Sequence, residues 1–376
     1  MKVAVIGVGG TGSAAMRFLA QAGHEVIGFE QFQVGHDRGS SHGESRIIRH
    51  AYADSLYTEL MGDAYPLWKQ LESDAGEELL VETGSLMLGP PDHPDVAASI
   101  QALEKHGLSY ETLTASDLAE RYPAFKLRAG EVAIYQKDAG FLRAARCVAA
   151  NVRLAKELGA ELRDETPVRK ITPHADGVVL WTEAGDAEWF DRAIVTAGAW
   201  MGSLLRGFQL PLRPTRQQFV YLETNGDPQN YTPAKFPVWI DAGSAESYYG
   251  FPNDGRISGI KLASHAFGPT ADPDRPQRNV SPKYLAEIAA YAAGRFQGVS
   301  SHATYSATCL YTVTPDEDFI LDRIPSVSNA WMVSGCSGHG FKFTVLLGKI
   351  AAELATGGAY PRDISRFALN RFQAAV

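Results

Sequence analysis

Three glycines near the start of the chain have a spacing that could do chemistry. Gly7-Val8-Gly9-Gly10-Thr11-Gly12 fits the G-x-G-x-x-G pattern, follows the apolar run Lys2-Val3-Ala4-Val5-Ile6 and opens a helical stretch from Thr11 to Gln21. The chemistry is anion binding. Gly7 allows the tight strand-to-helix turn, Gly9 lets backbone amides approach a pyrophosphate, and Gly12 lets the helix pack close to the strand, its N-terminus turned to the anion. The next apolar run, Glu25-Val26-Ile27-Gly28-Phe29, ends at Glu30, where a ribose diol would be hydrogen-bonded. The unit binds a dinucleotide but does not decide between NAD and FAD, which fit the same geometry.

Two further side chains stand out by their surroundings. Lys261 lies in the apolar segment Gly259-Ile260-Lys261-Leu262, where a lysine ordinarily snorkels to solvent. Cys309 lies in Ser306-Ala307-Thr308-Cys309-Leu310-Tyr311-Thr312; most isolated cysteines are small core residues, and a thiol of pKa about 8.5 is only a few per cent thiolate at neutral pH.

The elements that must position these residues alternate in type. Residues 55 to 73 carry apolar positions at helical spacing, and residues 143 to 158 form a second amphipathic helix ending at Gly159. Strands are expected over 83–89, 160–163, 168–171, 177–181 and 193–196, and residues 216 to 264 are strand-rich, with 218–222 and 248–251 prominent. A helical stretch runs from Phe343 to Ala355 after the turn Ser337-Gly338-His339-Gly340. The pattern predicts an α/β fold: a Rossmann-like nucleotide domain built from discontinuous segments 1–84, 142–214 and 302–376, interrupted by a β-rich substrate domain over 85–141 and 215–301.

Composition narrows the function. The 376 residues, 45% hydrophobic and 21% charged, suffice for two packed domains. A net charge of −8 with no basic block argues against nucleic acid or an acidic membrane surface as partner. Cys147, Cys309 and Cys336 have neither disulfide-framework nor metal-site spacing, so no metal is expected. No apolar stretch has the length of a membrane span and the chain enters the glycine turn at once, which predicts a cytoplasmic protein.

Several blocks occur together and in order: Gly39 to Tyr52, including His42, Arg46 and Arg49; Tyr248 to Pro252; Lys261; the Cys309 segment with Thr314 to Ile320; and Ser337 to Phe343. Together they resemble the monomeric sarcosine oxidase family, which includes N-methyltryptophan oxidase. The likeness runs over essentially the whole chain. It implies an FAD-dependent amine oxidase that takes a secondary amino acid, oxidises a C–N bond to an imine by hydride transfer to flavin N5, and passes electrons to O2 to give hydrogen peroxide. It also implies a monomer whose partners are a small secondary amino acid and O2.

The resemblance assigns roles residue by residue. Cys309 matches the cysteine that holds FAD covalently through the 8α-methyl carbon. Lys261 matches a lysine that supports oxygen reduction, where a fixed cation in a low-dielectric site stabilises charge developing on superoxide. Arg49 and Lys342 match the pair that binds the substrate carboxylate, an arginine fork supplying two hydrogen bonds and a lysine a second charge. Without it, Lys342 would be a solvated first-turn residue and Arg49 would pair with Glu44 or Glu30.

Tyr249, His265 and Tyr311 match positions lining the substrate cavity, with His265 positioning rather than acting as base. His42 and Arg46 match positions near the flavin ring; Val168, Gly338, Gly340 and Lys342 complete the cofactor contacts. His339 reads as part of its turn, and Trp239 and Ile240 as shaping the side-chain pocket. Ser41 stands where the family often has a second histidine, and one residue is inserted between Phe251 and Lys261.

Three readings follow. The first is a covalent FAD oxidase of an N-methyl amino acid, or of a cyclic imino acid of the proline or pipecolate type. The others are a nicotinamide-dependent dehydrogenase and a nucleotide-binding module without turnover.

Overall fold

The first strand, Lys2–Ile6, is apolar and buried on both faces, as a central parallel strand must be. The computed structural model, which describes residues 1–275 and 277–372, places it inside a six-stranded sheet. The strand order is Ile320–Ile324, Val327–Ser334, Arg192–Val195, Lys2–Ile6, Glu25–Phe29 and Glu161–Arg163. All neighbours are parallel except the antiparallel pair formed by the first two. Helices Gly10–Gln21, Ala144–Glu157 and Thr344–Ala355 pack together beside the sheet. Their contact is close enough that a Cβ on Gly348 would lie 2.7 Å from the Ala14 methyl, which explains a glycine in mid-helix.

An antiparallel three-stranded sheet, Val168–Pro173, Val178–Thr182 and Ala187–Phe190, packs Val178, Leu180 and Phe190 against Ala4, Ile27 and Val195 of the larger sheet. The glycine-led strand-helix-strand unit and the expected strands are therefore present. The strand Ala187–Phe190 and the helices Pro94–Lys105 and Pro282–Arg295 are additions to the sequence reading.

The second large sheet has eight strands, in the order Val299–Val313, Arg213–Thr224, Ile260–Ser264, Tyr248–Phe251, Val238–Asp241, Ser85–Gly89, Val132–Gln136 and Glu111–Leu113. The strand bearing Cys309 pairs with Arg213–Thr224 almost from end to end, Arg213 opposite Val313 and Thr224 opposite Val299. Alternation decides what each face does. Leu86, Leu88, Val220, Leu222, Trp239, Ile260 and Leu262 enter an apolar core shared with Phe236, Tyr291 and Phe296. Their neighbours Met87, Phe219, Ile240 and Lys261 face the other way, into a cavity.

A buried ion network ties the covering helix Pro282–Arg295 to this sheet. The Arg295 guanidinium, fully buried, donates to Glu131 at 2.6 and 3.1 Å and to Asp241 at 2.6 Å, and the Tyr291 hydroxyl donates to Asp241 at 2.8 Å. A small antiparallel sheet of Arg46–Ile48, Gly140–Leu142 and Leu80–Glu82 carries Arg46 and delivers Arg49 just beyond its end. Among the described residues, no helix is long and apolar enough to cross a membrane.

Candidate active site

The glycine turn behaves mechanically as its spacing predicts. Gly7 has φ +87°, and a Cβ there would lie 2.7 Å from the Thr196 carbonyl oxygen. A Cβ on Gly12 would lie 2.0 Å from the Gly7 carbonyl oxygen, so Gly12 is required for packing behind the turn. Helix Gly10–Gln21 starts with no side-chain cap from Gly9. The Gly10 amide donates to Ser41 Oγ at 2.9 Å. Glu30 closes the next strand, accepting from the amides of Val8 at 2.9 Å and Phe32 at 3.2 Å.

Gly7, Gly9, Glu30, His42 and Val168 all line one cavity of about 150 Å3 beside this helix start. Burial, and then the Arg46 charge, push the His42 pKa down to about 3, leaving a neutral ring. A helix N-terminus, a carboxylate at the strand end and an apolar side wall fit a dinucleotide such as FAD.

A second cavity, of about 260 Å3, lies between the eight-stranded sheet, the Ser45–Ala53 segment and the turn at Gly338 to Lys342. Arg46, Arg49, Tyr249, Lys261, His265, Cys309, Tyr311, Gly338 and Lys342 all line it, although they are scattered over most of the sequence. Sheet register explains half of this convergence. Lys261 stands opposite Phe251 on one side and Tyr221 on the other, Tyr249 opposite Ala263, and Cys309 opposite Gln217. The hydroxyls of Tyr249 and Tyr311 are 3.2 Å apart. The Ser45–Ala53 segment brings Arg46 and Arg49, His265 follows the Lys261 strand, and the turn brings Gly338 and Lys342: Gly338 has φ +84°, and a Cβ there would lie 2.3 Å from the Tyr311 ring. Gly340, by contrast, packs on Cys336 behind the cavity.

Lys261 does not snorkel. Its Nζ donates to the Ser45 carbonyl and hydroxyl, both at 3.3 Å, between the rings of Phe219 at 4.6 Å and Phe251 at 4.8 Å. Burial, then Arg46, lower its pKa to about 7. The Cys309 thiol is pushed up by burial, against the opposing pull of Arg46 and Lys261. Arg46 spends its guanidinium on the backbone carbonyls of Ser40, His42 and Ser45, each at 2.8 Å, with its Cζ 6.0 Å over the Phe341 ring.

The other two cations both meet Tyr52. Arg49 lies 4.5 Å over the Tyr52 ring, and its Nε and Nη1 are buried without any hydrogen-bond partner among the described residues. It pairs with neither acid considered from sequence, since Glu44 bonds Arg256 and Glu30 bonds the Val8 and Phe32 amides. Lys342 is buried rather than solvated, donating to the Tyr52 hydroxyl at 2.7 Å and the His339 carbonyl at 3.0 Å. Burial, then Arg49, hold its pKa well below the usual lysine range. His265 is driven down to about 4 by burial, with Lys342 and Arg49 adding to the effect, so its ring is neutral at pH 7.

His339 also lines the cavity, stacked 4.8 Å from Phe319 with Nε2 against the Glu317 carbonyl at 3.1 Å. Ile240 reaches the cavity, but Trp239 does not: it packs with Tyr291 and Phe296 in the core, because neighbouring strand residues point to opposite faces. Sequence reasoning gave no role to Ser45, Tyr52, Asp95, Ser99, Phe219 or Phe251, all of which line the cavity. For Phe219 and Phe251 the strand period was the available signal.

The profile of the FAD dependent oxidoreductase family (DAO) matches residues 2–354, and the chain belongs to that family. It is 35% identical to monomeric sarcosine oxidase of Streptomyces avermitilis, over 99% of this chain and 98% of that protein. It is 32% identical to N-methyl-L-tryptophan oxidase of Salmonella heidelberg, over 98% of each. Its fold is similar to the open form of NikD, an unusual amino acid oxidase essential for nikkomycin biosynthesis, with a TM-score of 0.85 at 24% identity over 98% of this chain and 96% of that one.

Proposed function

We propose that the protein is an FAD-dependent oxidase of a secondary amino acid of the sarcosine or N-methyltryptophan kind, yielding an imine that water hydrolyses, with hydrogen peroxide from O2. One observation carries the reading: Arg49, with two buried donors left unpaired among the described residues, and Lys342, a buried ammonium, line a cavity also lined by Lys261 and Cys309. Two buried cations without a carboxylate are costly unless an anion completes them. A substrate carboxylate is such an anion. The names of the relatives, sarcosine oxidase and N-methyl-L-tryptophan oxidase, support the same class.

In this reading, FAD when bound takes a hydride from the carbon next to the amine and returns the electrons to O2. The chain's own residues prepare that event. The Arg49 fork and Lys342 seat the carboxylate, and the neutral His265 ring accepts a hydrogen bond from the amine, which must itself be neutral to lose hydride. Tyr249 and Tyr311 form one wall, held by their mutual hydrogen bond. Lys261, anchored on Ser45, supplies positive potential where oxygen is reduced.

Gly7, Gly9, Glu30, His42, Arg46 and Val168 hold the cofactor, with Gly12, Gly338 and Gly340 supporting the close backbone approach. Cys309 binds it covalently through the 8α carbon. Segments 1–84, 142–214 and 302–376 form the FAD-binding domain, and the long strands Arg213–Thr224 and Val299–Val313 cross from it into the substrate domain. The enzyme works as a monomer in the cytoplasm.

The deciding experiment measures peroxide released from sarcosine, N-methyl-L-tryptophan, L-proline and L-pipecolate. Turnover of an N-methyl substrate is expected, and preference for the cyclic acids would move the substrate to the imino acid class. Absence of peroxide from every compound, with reduction of a nicotinamide instead, would sink the proposal.

A further inference from the structure

We infer that the outer end of the active-site cavity is a second polar subsite, built by Asp95 and Ser99, that receives a cationic hydrogen-bond donor at the tip of the substrate's side chain. The inference rests on the amino acid oxidase reading and adds which amino acids the site favours. Helix Pro94–Lys105 presents two different faces. Val96 and Ile100 enter an apolar cluster with Met87, Ile134 and Ala242. Asp95 and Ser99, one turn apart and therefore on a common face, line the cavity with Met87, Ile240 and Ala242.

The Ser99 side chain is the telling one. The residue is 1% exposed, and its hydroxyl has no hydrogen-bond partner among the described residues. A serine within a helix usually donates to the carbonyl one turn earlier, here that of Asp95, and this one does not. Asp95 stands at the mouth, exposed, and its carboxylate makes no hydrogen bond or ion pair among the described residues. It lines the same cavity as Arg49, and its charge acts on that guanidinium.

The cavity thus carries both charges. Arg49 and Lys342 supply cations, and Ser99 with Asp95 an acceptor pair bearing a negative charge; Ile240 and Met87, side by side on neighbouring strands beyond Tyr249 and away from the Cys309 strand, form with Ala242 an apolar wall. An amino acid seated by its carboxylate on the cations would run an aliphatic side chain along that wall and present its tip to the acceptor pair. An ammonium matches that tip best, because it satisfies a hydroxyl and a carboxylate together. The favoured substrate class is therefore an Nα-methyl amino acid with a basic side chain.

The test compares near-isosteres. Peroxide production from Nα-methyl-L-lysine and Nα-methyl-L-norleucine is expected to differ roughly ten-fold or more in kcat/KM, in favour of lysine and mainly through KM. Asp95→Asn and Ser99→Ala should each shrink that ratio, which damage to the fold alone would leave unmoved. Equal or better use of the norleucine compound, or an unchanged ratio in both variants, would overturn the inference. Sarcosine and N-methyl-L-tryptophan report separately on the oxidase reading. Calorimetry on the holoenzyme with 6-aminohexanoate and hexanoate decides the subsite without turnover: tighter binding of the amino compound, lost in Asp95→Asn, supports it, and equal binding refutes it.

Discussion

Replacing Arg49 by methionine should weaken substrate and leave the fold as stable as before or more so. Arg49 keeps Nε and Nη1 buried and unpartnered, so the protein bears the desolvation of a guanidinium without a compensating anion. A methionine of comparable length removes that burden. Exchanges of buried ions for well-packed apolar residues are neutral or stabilising by about 1–4 kcal/mol. The ligand side has the opposite sign. Two charge-assisted hydrogen bonds at about 1.5 kcal/mol or more each amount to at least about 3 kcal/mol, or roughly a hundred-fold in affinity.

Lys342 stays in place but already donates to Tyr52 and His339, so it cannot replace a two-pronged donor. Arg49→Lys should fall between the two, keeping the charge and losing the fork. The assays are thermal unfolding of the holoenzyme and the dissociation constant of a simple carboxylate inhibitor. A variant that binds the inhibitor as before while melting several degrees lower would show Arg49 to be a structural cation, and the argument from its unpaired donors would be wrong.

Other perturbations probe other parts of the molecule. Lys261→Met should slow reoxidation of the reduced enzyme by O2 far more than its reduction by substrate; equal slowing of both half-reactions would contradict the role given to Lys261. In the native enzyme the Lys261 cation is present below its lowered pKa of about 7 and lost above it, so the O2 half-reaction should slow as pH rises through about 7. Cys309→Ser should release its yellow colour into the supernatant on acid precipitation, whereas the native protein should keep it in the pellet. Arg295→Met strands Glu131 and Asp241, both buried, and should cost about 3–5 kcal/mol in denaturant unfolding; a loss below about 1 kcal/mol would mean that Arg128, 3.7 Å from Asp241, compensates.

The parts legible in the sequence were those in which local chemistry leaves few alternatives. A strand followed by glycines at fixed spacing, a helix and a strand ending in Glu30 has essentially one structural solution, and the positive φ of Gly7 and the tight contact at Gly12 are its physical basis. Arg49, Lys261, Cys309 and Lys342 were found by resemblance, because no local pattern signals that they share a cavity. Trp239 and Ile240 are adjacent on one strand, so only one of the two can face the cavity. Asp95 and Ser99 had no such signal. A serine in a short amphipathic helix looks the same on paper whether its hydroxyl bonds the backbone or lies buried without a partner.

The pairing of Val299–Val313 with Arg213–Thr224, and of that strand with Ile260–Ser264, has a kinetic corollary. Tyr311 and Cys309 stand opposite Thr215 and Gln217 on one side of the strand Arg213–Thr224, and Lys261 stands opposite Tyr221 on its other side, so none can drift without breaking many backbone hydrogen bonds, and a slip of one residue would turn a strand's cavity-facing side chains away. Catalytic competence should therefore vanish as a unit: in rising urea, amide exchange on these strands and enzymatic rate should stay native-like until the whole ladder comes apart, with no half-active intermediate in between.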